Sequence, residues 1–194
     1  MKTIIVYCHP YPHSFNHAIL EAVCDNLKTK KVDFRIIDLY AEDFDPVYSK
    51  EELALYHEGG TVDPLVKKYL ALLKGADTII FITPIWWNSI PGMLKGFIDK
   101  VMKEGENLSH TISKRGVKGG LTNIKHCYVL TTSTSPTLYI KYLNGNAVQR
   151  IFIKQTLKQL GFRHGHWQNF GLVSNSTQTR RENYLFRVRQ QNFK

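Results

Sequence analysis

Three stretches of this 194-residue chain carry side chains suited to holding a bound molecule. The first runs from His9 to Asn16 and lies between an apolar run and a helical repeat, where backbone N–H groups and a positive helix end make a natural phosphate site. Ser14 and Asn16 would add hydroxyl and amide donors there. A second reading is open, in which Ser14 is only the N-cap of the following helix. The next stretch, Pro84-Ile85-Trp86-Trp87-Asn88, puts two indoles directly after a buried strand, which suits a flat ligand. Core or dimer packing would also account for them. In the third, Thr131 to Tyr139, small hydroxyl residues including Thr132 and Ser133 offer donors to a ligand edge, or form an ordinary polar loop. His9, His13 and His17 are four apart, but the intervening prolines forbid one continuous helix and with it a metal-binding triad.

The elements around these stretches alternate. Thr3 to Tyr7, Phe34 to Leu39, Thr78 to Thr83, His126 to Thr131 and Gly165 to Val173 read as strands. Helical periodicity connects Phe15, Ile19, Ala22, Val23 and Leu27, then the segment opened by Asp63-Pro64, and then Leu94, Phe97, Ile98 and Val101 after Pro91. It returns from Val148 to Leu160, and a basic closing helix spans Thr179 to Phe193. Ser49, Glu51 and Glu52 start a short helix over Lys50 to Tyr56, a structural role that requires no function. Met102 to Lys125 reads as polar surface loops with an extended segment. Strands alternating with helices predict a single α/β domain over 1–194, built on a doubly wound five-stranded parallel sheet with helices on both faces. The three unusual loops then crowd the carboxyl edge of that sheet, where ligands bind in such folds.

Composition narrows the class. Apolar residues at 43% and charged residues at 22% are globular values, and no run approaches the roughly 18 apolar residues a membrane span needs. MKTIIVYCHP reads as a first strand rather than a signal peptide, so a cytoplasmic protein without membrane insertion is expected. Three cysteines without C-x-x-C spacing predict free thiols rather than a disulfide or a zinc site. The net charge of +10 fits an anionic cofactor as well as nucleic acid. No nucleic-acid motif accompanies it, and its dense cluster, Arg180, Arg181, Arg187 and Arg189, lies in the tail.

Read together, HPYPHSFNHA at His9 to Ala18, DLYAEDFDPVYS at Asp38 to Ser49, TPIWWNSIPGMLKGFIDKV at Thr83 to Val101, TTSTSPTLY at Thr131 to Tyr139 and LGF at Leu160 to Phe162 carry a resemblance over almost the whole chain. The chain resembles the flavodoxin-like NAD(P)H:quinone oxidoreductase family, which includes DT-diaphorase-like enzymes and bacterial modulator-of-drug-activity and potassium-efflux ancillary reductases. The resemblance implies that His9, Ser14, Phe15 and Asn16 hold a flavin phosphate. It places Pro84, Ile85, Trp86, Trp87 and Asn88 along the isoalloxazine, Thr131, Thr132 and Ser133 at its polar edge, and Tyr139 over it as the catalytic residue that donates to substrate.

The implied activity is hydride transfer from NAD(P)H through bound flavin to a quinone-type acceptor by a ping-pong mechanism. FAD is the expected cofactor, because the Asp38 to Gly60 connection is long, with FMN as the alternative. The implied assembly is a homodimer. Azo- or nitro-compound reduction, a flavodoxin-like electron carrier and a flavin-binding ancillary subunit of a transporter are the competing roles. Two departures matter. Relatives have Thr-Thr-Gly-Gly where this chain has Thr132-Ser133-Thr134, which restricts positive φ. The histidine that some members pair with the tyrosine falls near Gly145 and is absent, which removes a tyrosine–histidine relay.

Overall fold

The computed structural model describes residues 2–193. Its strands are β1 (Lys2–Tyr7), β2 (Asp33–Asp38), β3 (Thr78–Pro84), β4 (His110–Ser113), β5 (Gly116–Gly119), β6 (His126–Thr132) and β7 (Gly165–Phe170). Five of them form one parallel sheet in the order β2-β1-β3-β6-β7. Central β3 is buried along its whole length, and its register with β6 runs from Thr78 opposite His126 to Pro84 opposite Thr132. A proline can stand there because it is the last residue of the strand.

The helices are α1 (Phe15–Thr29), α2 (Lys50–Ala54), α3 (Pro64–Lys74), α4 (Gly92–Val101), α5 (Thr137–Tyr142) and α6 (Gln178–Gln190), with a π-helix over Val148–Leu157 between the last two. Strand side chains alternate between faces. Ile4, Val6, Ile79, Phe81 and Val129 therefore enter one core with α3, α4 and the π-helix, while Ile5, Ile80, Ile82 and Leu130 enter a second with α1 and α6. Two covered faces explain why the central strands read as continuous apolar runs.

Helix starts follow their caps. Ser14, Ser49, Asp63 and Thr177 each accept a backbone N–H from the first turn of α1, α2, α3 and α6. Three features differ from the sequence expectation. Met102 to Lys125 contains the antiparallel β4–β5 hairpin. Its apolar alternation is reduced to one exposed cross-strand pair, Ile112 opposite Val117, too little to register as a pattern. α5 is a short helix opened by Pro136 without a side-chain cap, inside what reads as a loop. The Val148 to Leu160 segment is helical but underwound into π geometry along most of its length.

The long connection after β2 is fastened to α4 and the segment behind it. Pro46 packs so closely that a Cβ on Gly96 would lie 2.3 Å from its own Cβ. Tyr48 donates to the Asp99 carbonyl at 2.6 Å, and Lys100 Nζ to the Asp45 carbonyl at 2.6 Å. Beneath them the buried Glu52 accepts from Lys103 Nζ at 2.7 Å, Thr61 Oγ1 at 2.6 Å and the Val62 N–H at 3.0 Å. Burial alone would raise the Glu52 carboxyl, but those hydrogen bonds and the Lys103 charge outweigh it and hold the group down at about 2. Among the described residues no helix is long and apolar enough to cross a membrane.

Candidate functional site

The loops that leave β1, β3 and β6 meet at the carboxyl rim of the sheet, and specific contacts stitch them together. In the first loop, His9 Nδ1 accepts the Tyr11 N–H at 3.1 Å, and burial lowers the imidazole pKa. The ring is therefore neutral with its proton on Nε2, a donor available to a ligand. Its centroid lies 6.1 Å from that of Trp86 in the second loop. Ser14 Oγ accepts the His17 N–H at 3.1 Å, so the capping role is realised, and the hydroxyl keeps its own proton for a second partner. No acidic residue occupies the first turn of α1, which leaves its positive end unneutralised.

Phe15 and Asn16 turn their side chains inward. The Phe15 ring packs against Phe170 at 4.6 Å and Tyr184 at 6.0 Å, so a ligand at this helix end would meet its backbone N–H. Asn16 is buried and donates to Thr132 Oγ1 at 2.8 Å, while its Oδ1 has no hydrogen-bond partner among the described residues. A buried carbonyl without a donor is costly, by about 1–3 kcal/mol, and marks a place where a further donor is accommodated.

The second loop is a two-residue hairpin. Ile85 N–H bonds the Thr132 carbonyl at 2.8 Å, continuing the ladder past Pro84. Trp86 and Ser89 then exchange both backbone hydrogen bonds, at 3.0 and 3.1 Å. Between them Trp87 (φ +48°) and Asn88 (φ +68°) both adopt left-handed backbone, the signature of a type I′ turn. For Asn this is tolerable, but for a bulky aromatic residue it is strained. The turn lifts the Trp87 side chain entirely into solvent, 98% exposed, with Trp86 at 42%. Asn88 Oδ1 accepts from Asn144 Nδ2, tying this turn to the segment after α5.

The hydroxyls of the third loop face the protein. Thr131 Oγ1 accepts from Trp167 Nε1 and donates to Asn169 Oδ1, both at 2.8 Å. Asn169 Nδ2 donates in turn to Ser133 Oγ and Thr137 Oγ1 at 2.9 Å, and Ser133 Oγ donates to the Ser135 carbonyl at 2.8 Å. Thr131, Thr132 and Ser133 are all buried, so this stretch presents to a ligand its backbone and the exposed Thr134, not the three hydroxyls. Neither Ser133 nor Thr134 needs positive φ. Tyr139 stands on α5, 45% exposed, with its carbonyl accepting from the Leu143 and Asn144 N–H groups.

Sequence reasoning missed Asn169 and the place of the tail arginines. Asn169 lies in a strand whose residues carry no site signal, and only the β6–β7 register brings it beside Thr131. Arg180 sits over the Phe170 ring at 4.3 Å, and Arg181 lies 6.0 Å from the Phe15 ring at the start of α1. Their density in the sequence was visible, but the packing of α6 on α1 that carries them to this rim was not.

The model of a family described as having a flavodoxin-like fold matches residues 1–191. The crystal structure of Smu.1420 from Streptococcus mutans UA159 is similar at 32% identity, covering 98% of this chain and 97% of that one with a TM-score of 0.83. An NAD(P)H:quinone oxidoreductase from Methanothermobacter marburgensis superposes with a TM-score of 0.86 over 98% of this chain and 96% of its own, a likeness of fold at 22% identity. NAD(P)H dehydrogenase [quinone] 1 of Rattus norvegicus is 29% identical over 154 residues, 71% of this chain. The matched region is 56% of that protein, so the chain spans little more than half the length of this curated relative.

Proposed function

This chain belongs to the flavodoxin-like fold family, and from that premise we propose that it is a flavin-dependent NAD(P)H oxidoreductase that passes hydride to a quinone-type acceptor. The observation that carries this reading is the stitched rim: an unneutralised helix start, a strained turn holding indoles outward, and a buried Asn16 oxygen without a donor, all at one edge of the sheet. The donor set fits a flavin. Backbone N–H groups of Phe15 and Asn16, the Ser14 hydroxyl and the nearby Arg181 would take its phosphate. Pro84, Ile85, Trp86, Trp87 and Asn88 would border the ring system, with backbone of Thr131, Thr132 and Ser133 along its polar edge. A bound flavin would supply the hydride exchange, which none of these side chains can perform.

The chain's own residues bind, orient and hold protons. His9, neutral and donating from Nε2, favours negative charge beside the Trp86 loop. The hydroxyl of Tyr139, half-exposed above the rim, donates to the bound substrate. One open shelf serves donor and acceptor in turn, which makes the kinetics ping-pong. FAD is the cofactor we favour, with FMN as the alternative. The length of the connection after β2 is accounted for by its packing on α4, so the argument for a second phosphate rests on Arg181, 6.0 Å from the Phe15 ring, and Arg180, over the Phe170 ring, whose guanidiniums are steadied by the Val173 and Gly171 carbonyls.

Exposed Trp87, Leu138, Tyr142 and Leu143 supply the apolar surface that a homodimer would bury beside the site. Free Cys8, Cys24 and Cys127 suit the reducing cytoplasm in which we place the protein. The decisive test is the visible spectrum of the protein before and after incubation with FAD or FMN, followed by NADH and NADPH oxidation with a quinone. A yellow protein with parallel double-reciprocal lines is expected. A protein that takes up neither flavin refutes the reading, and intersecting lines refute the shared shelf.

A further inference from the structure

The opposite rim of the sheet holds a second feature that the proposed flavin chemistry leaves unused. Where β6 and β7 begin, a cavity of about 520 Å³ opens between the end of the π-helix and the loop 161–165. Its size is that of a small-molecule pocket. The inner wall is apolar, made by buried Ile153, Leu157 and Phe162. Cys127 closes the floor, and burial pushes its thiol up, so it adds no thiolate charge. Gly165 keeps the mouth open, since a Cβ there would come 2.5 Å from Ile153 Cγ2.

The rim has one sign of charge. Lys154, Lys158 and Arg163 line the opening, and no aspartate or glutamate does. Elsewhere many basic side chains are paired: Lys100 with Asp63, Lys103 with Glu52, Lys95 with Asp99 and Arg189 with Asp25. None of the three at this opening makes an ion pair or side-chain hydrogen bond among the described residues. His164, also at the mouth, stacks on His126 at 6.0 Å. Three unpaired cations over an apolar hollow attract an anion and shelter a hydrocarbon body at once.

We propose that this cavity is a binding site for a small amphipathic anion, an apolar chain or ring ending in a phosphate, sulfate or carboxylate. The apolar part would lie against Ile153, Leu157 and Phe162, and the head would meet Lys154, Lys158 and Arg163. β6 separates the cavity from the flavin rim by about 20 Å, at about 3.3 Å per residue, so the two sites are occupied independently. The proposal therefore stands or falls apart from the flavin reading.

Isothermal titration of the full chain with octyl phosphate tests it, with octanoate, octanol and inorganic phosphate as separate arms. Octyl phosphate and octanoate should bind at one per chain, more weakly as salt rises, while octanol or inorganic phosphate alone binds at least tenfold more weakly. The K154E/K158E variant, altered only at exposed positions, should lose about tenfold or more in affinity, and Gln149→Trp, which puts an indole in place of a lining side chain, should abolish binding. Circular dichroism unchanged from the parent would establish that both variants fold. Equal affinity for octanol would show a merely greasy hollow, and undiminished binding by both variants would place the ligand elsewhere. Either result, or no binding of octyl phosphate, overturns the proposal.

Discussion

Replacing Trp87 with glycine should separate what the second loop does for folding from what it does for a ligand. The indole is 98% exposed, so its removal forfeits almost no burial. Its backbone sits at φ +48°, a conformation that costs a residue with a Cβ about 1–2 kcal/mol and glycine nothing. Glycine gives back about 0.5–1 kcal/mol through the greater freedom of its unfolded chain. The difference predicts that flavin-free Trp87→Gly is as stable as the parent or gains up to about 1.5 kcal/mol, a rise in Tm of up to roughly 3–6 °C for a chain of this size. Urea unfolding at two protein concentrations measures this and exposes any contribution from association. On the proposed function the same change removes an aromatic contact of about 0.5–1.5 kcal/mol, so flavin or acceptor should bind about 2- to 10-fold more weakly. A loss of stability above 1 kcal/mol that does not depend on protein concentration would refute the reasoning, because it would mean the ring is packed within its own chain. Unchanged affinity for both flavin and acceptor would remove Trp87 from the site.

Two further predictions concern the frame and the third loop. Glu52 is held at about 2 against 4.5 when unfolded, and a carboxyl with a depressed folded pKa contributes stability that is complete above pH 4.5 and is lost as pH falls towards 2. The contribution is about 3 kcal/mol. Glu52→Gln should therefore destabilise the chain at pH 7 by about 3–5 kcal/mol, leaving the Lys103 charge buried without its partner, and should flatten the acid limb of a stability–pH profile. An unaltered acid limb would show that other carboxylates carry it. Asn169→Ala should release Thr131, Ser133 and Thr137 together. At about 1 kcal/mol net for each lost hydrogen bond, the expected cost is about 2–3 kcal/mol in denaturant unfolding. Flavin affinity should fall even though Asn169 itself is not proposed to touch the ligand, and Asn169→Asp, which keeps the acceptor for Thr131, should recover part of it.

How much of this was legible beforehand follows from the range of each interaction. The strands that begin near Thr3, Thr78 and His126 could be read because both faces of a parallel sheet are covered, so their middles, Ile4 to Val6, Ile79 to Ile82 and Cys127 to Leu130, are unbroken runs of buried, largely apolar side chains. Helix starts were readable because a cap is a contact over two or three residues, as at Ser14, Ser49 and Asp63. The β4–β5 hairpin and α5 were not, since the first has one apolar pair and the second few residues and no cap.

The same division runs through the site. Sequence alone determined that three loops with phosphate-like, aromatic and hydroxyl-rich character follow strands of one parallel sheet, because strands alternating with helices run parallel and send the loops that follow them to a common rim; that β1, β3 and β6 are neighbours there is decided by the sheet order. Tertiary structure alone decided which groups face outward there. Thr131, Thr132 and Ser133 spend their hydroxyls on Trp167, Asn16 and Asn169, partners 36, 116 and 36 residues away, and Trp87 is held in the open by a backbone pairing between its neighbours. A hydroxyl's direction is settled by the nearest competing donor or acceptor in space, and no local pattern encodes a partner that only the β6–β7 register and the packing of α1 bring within reach.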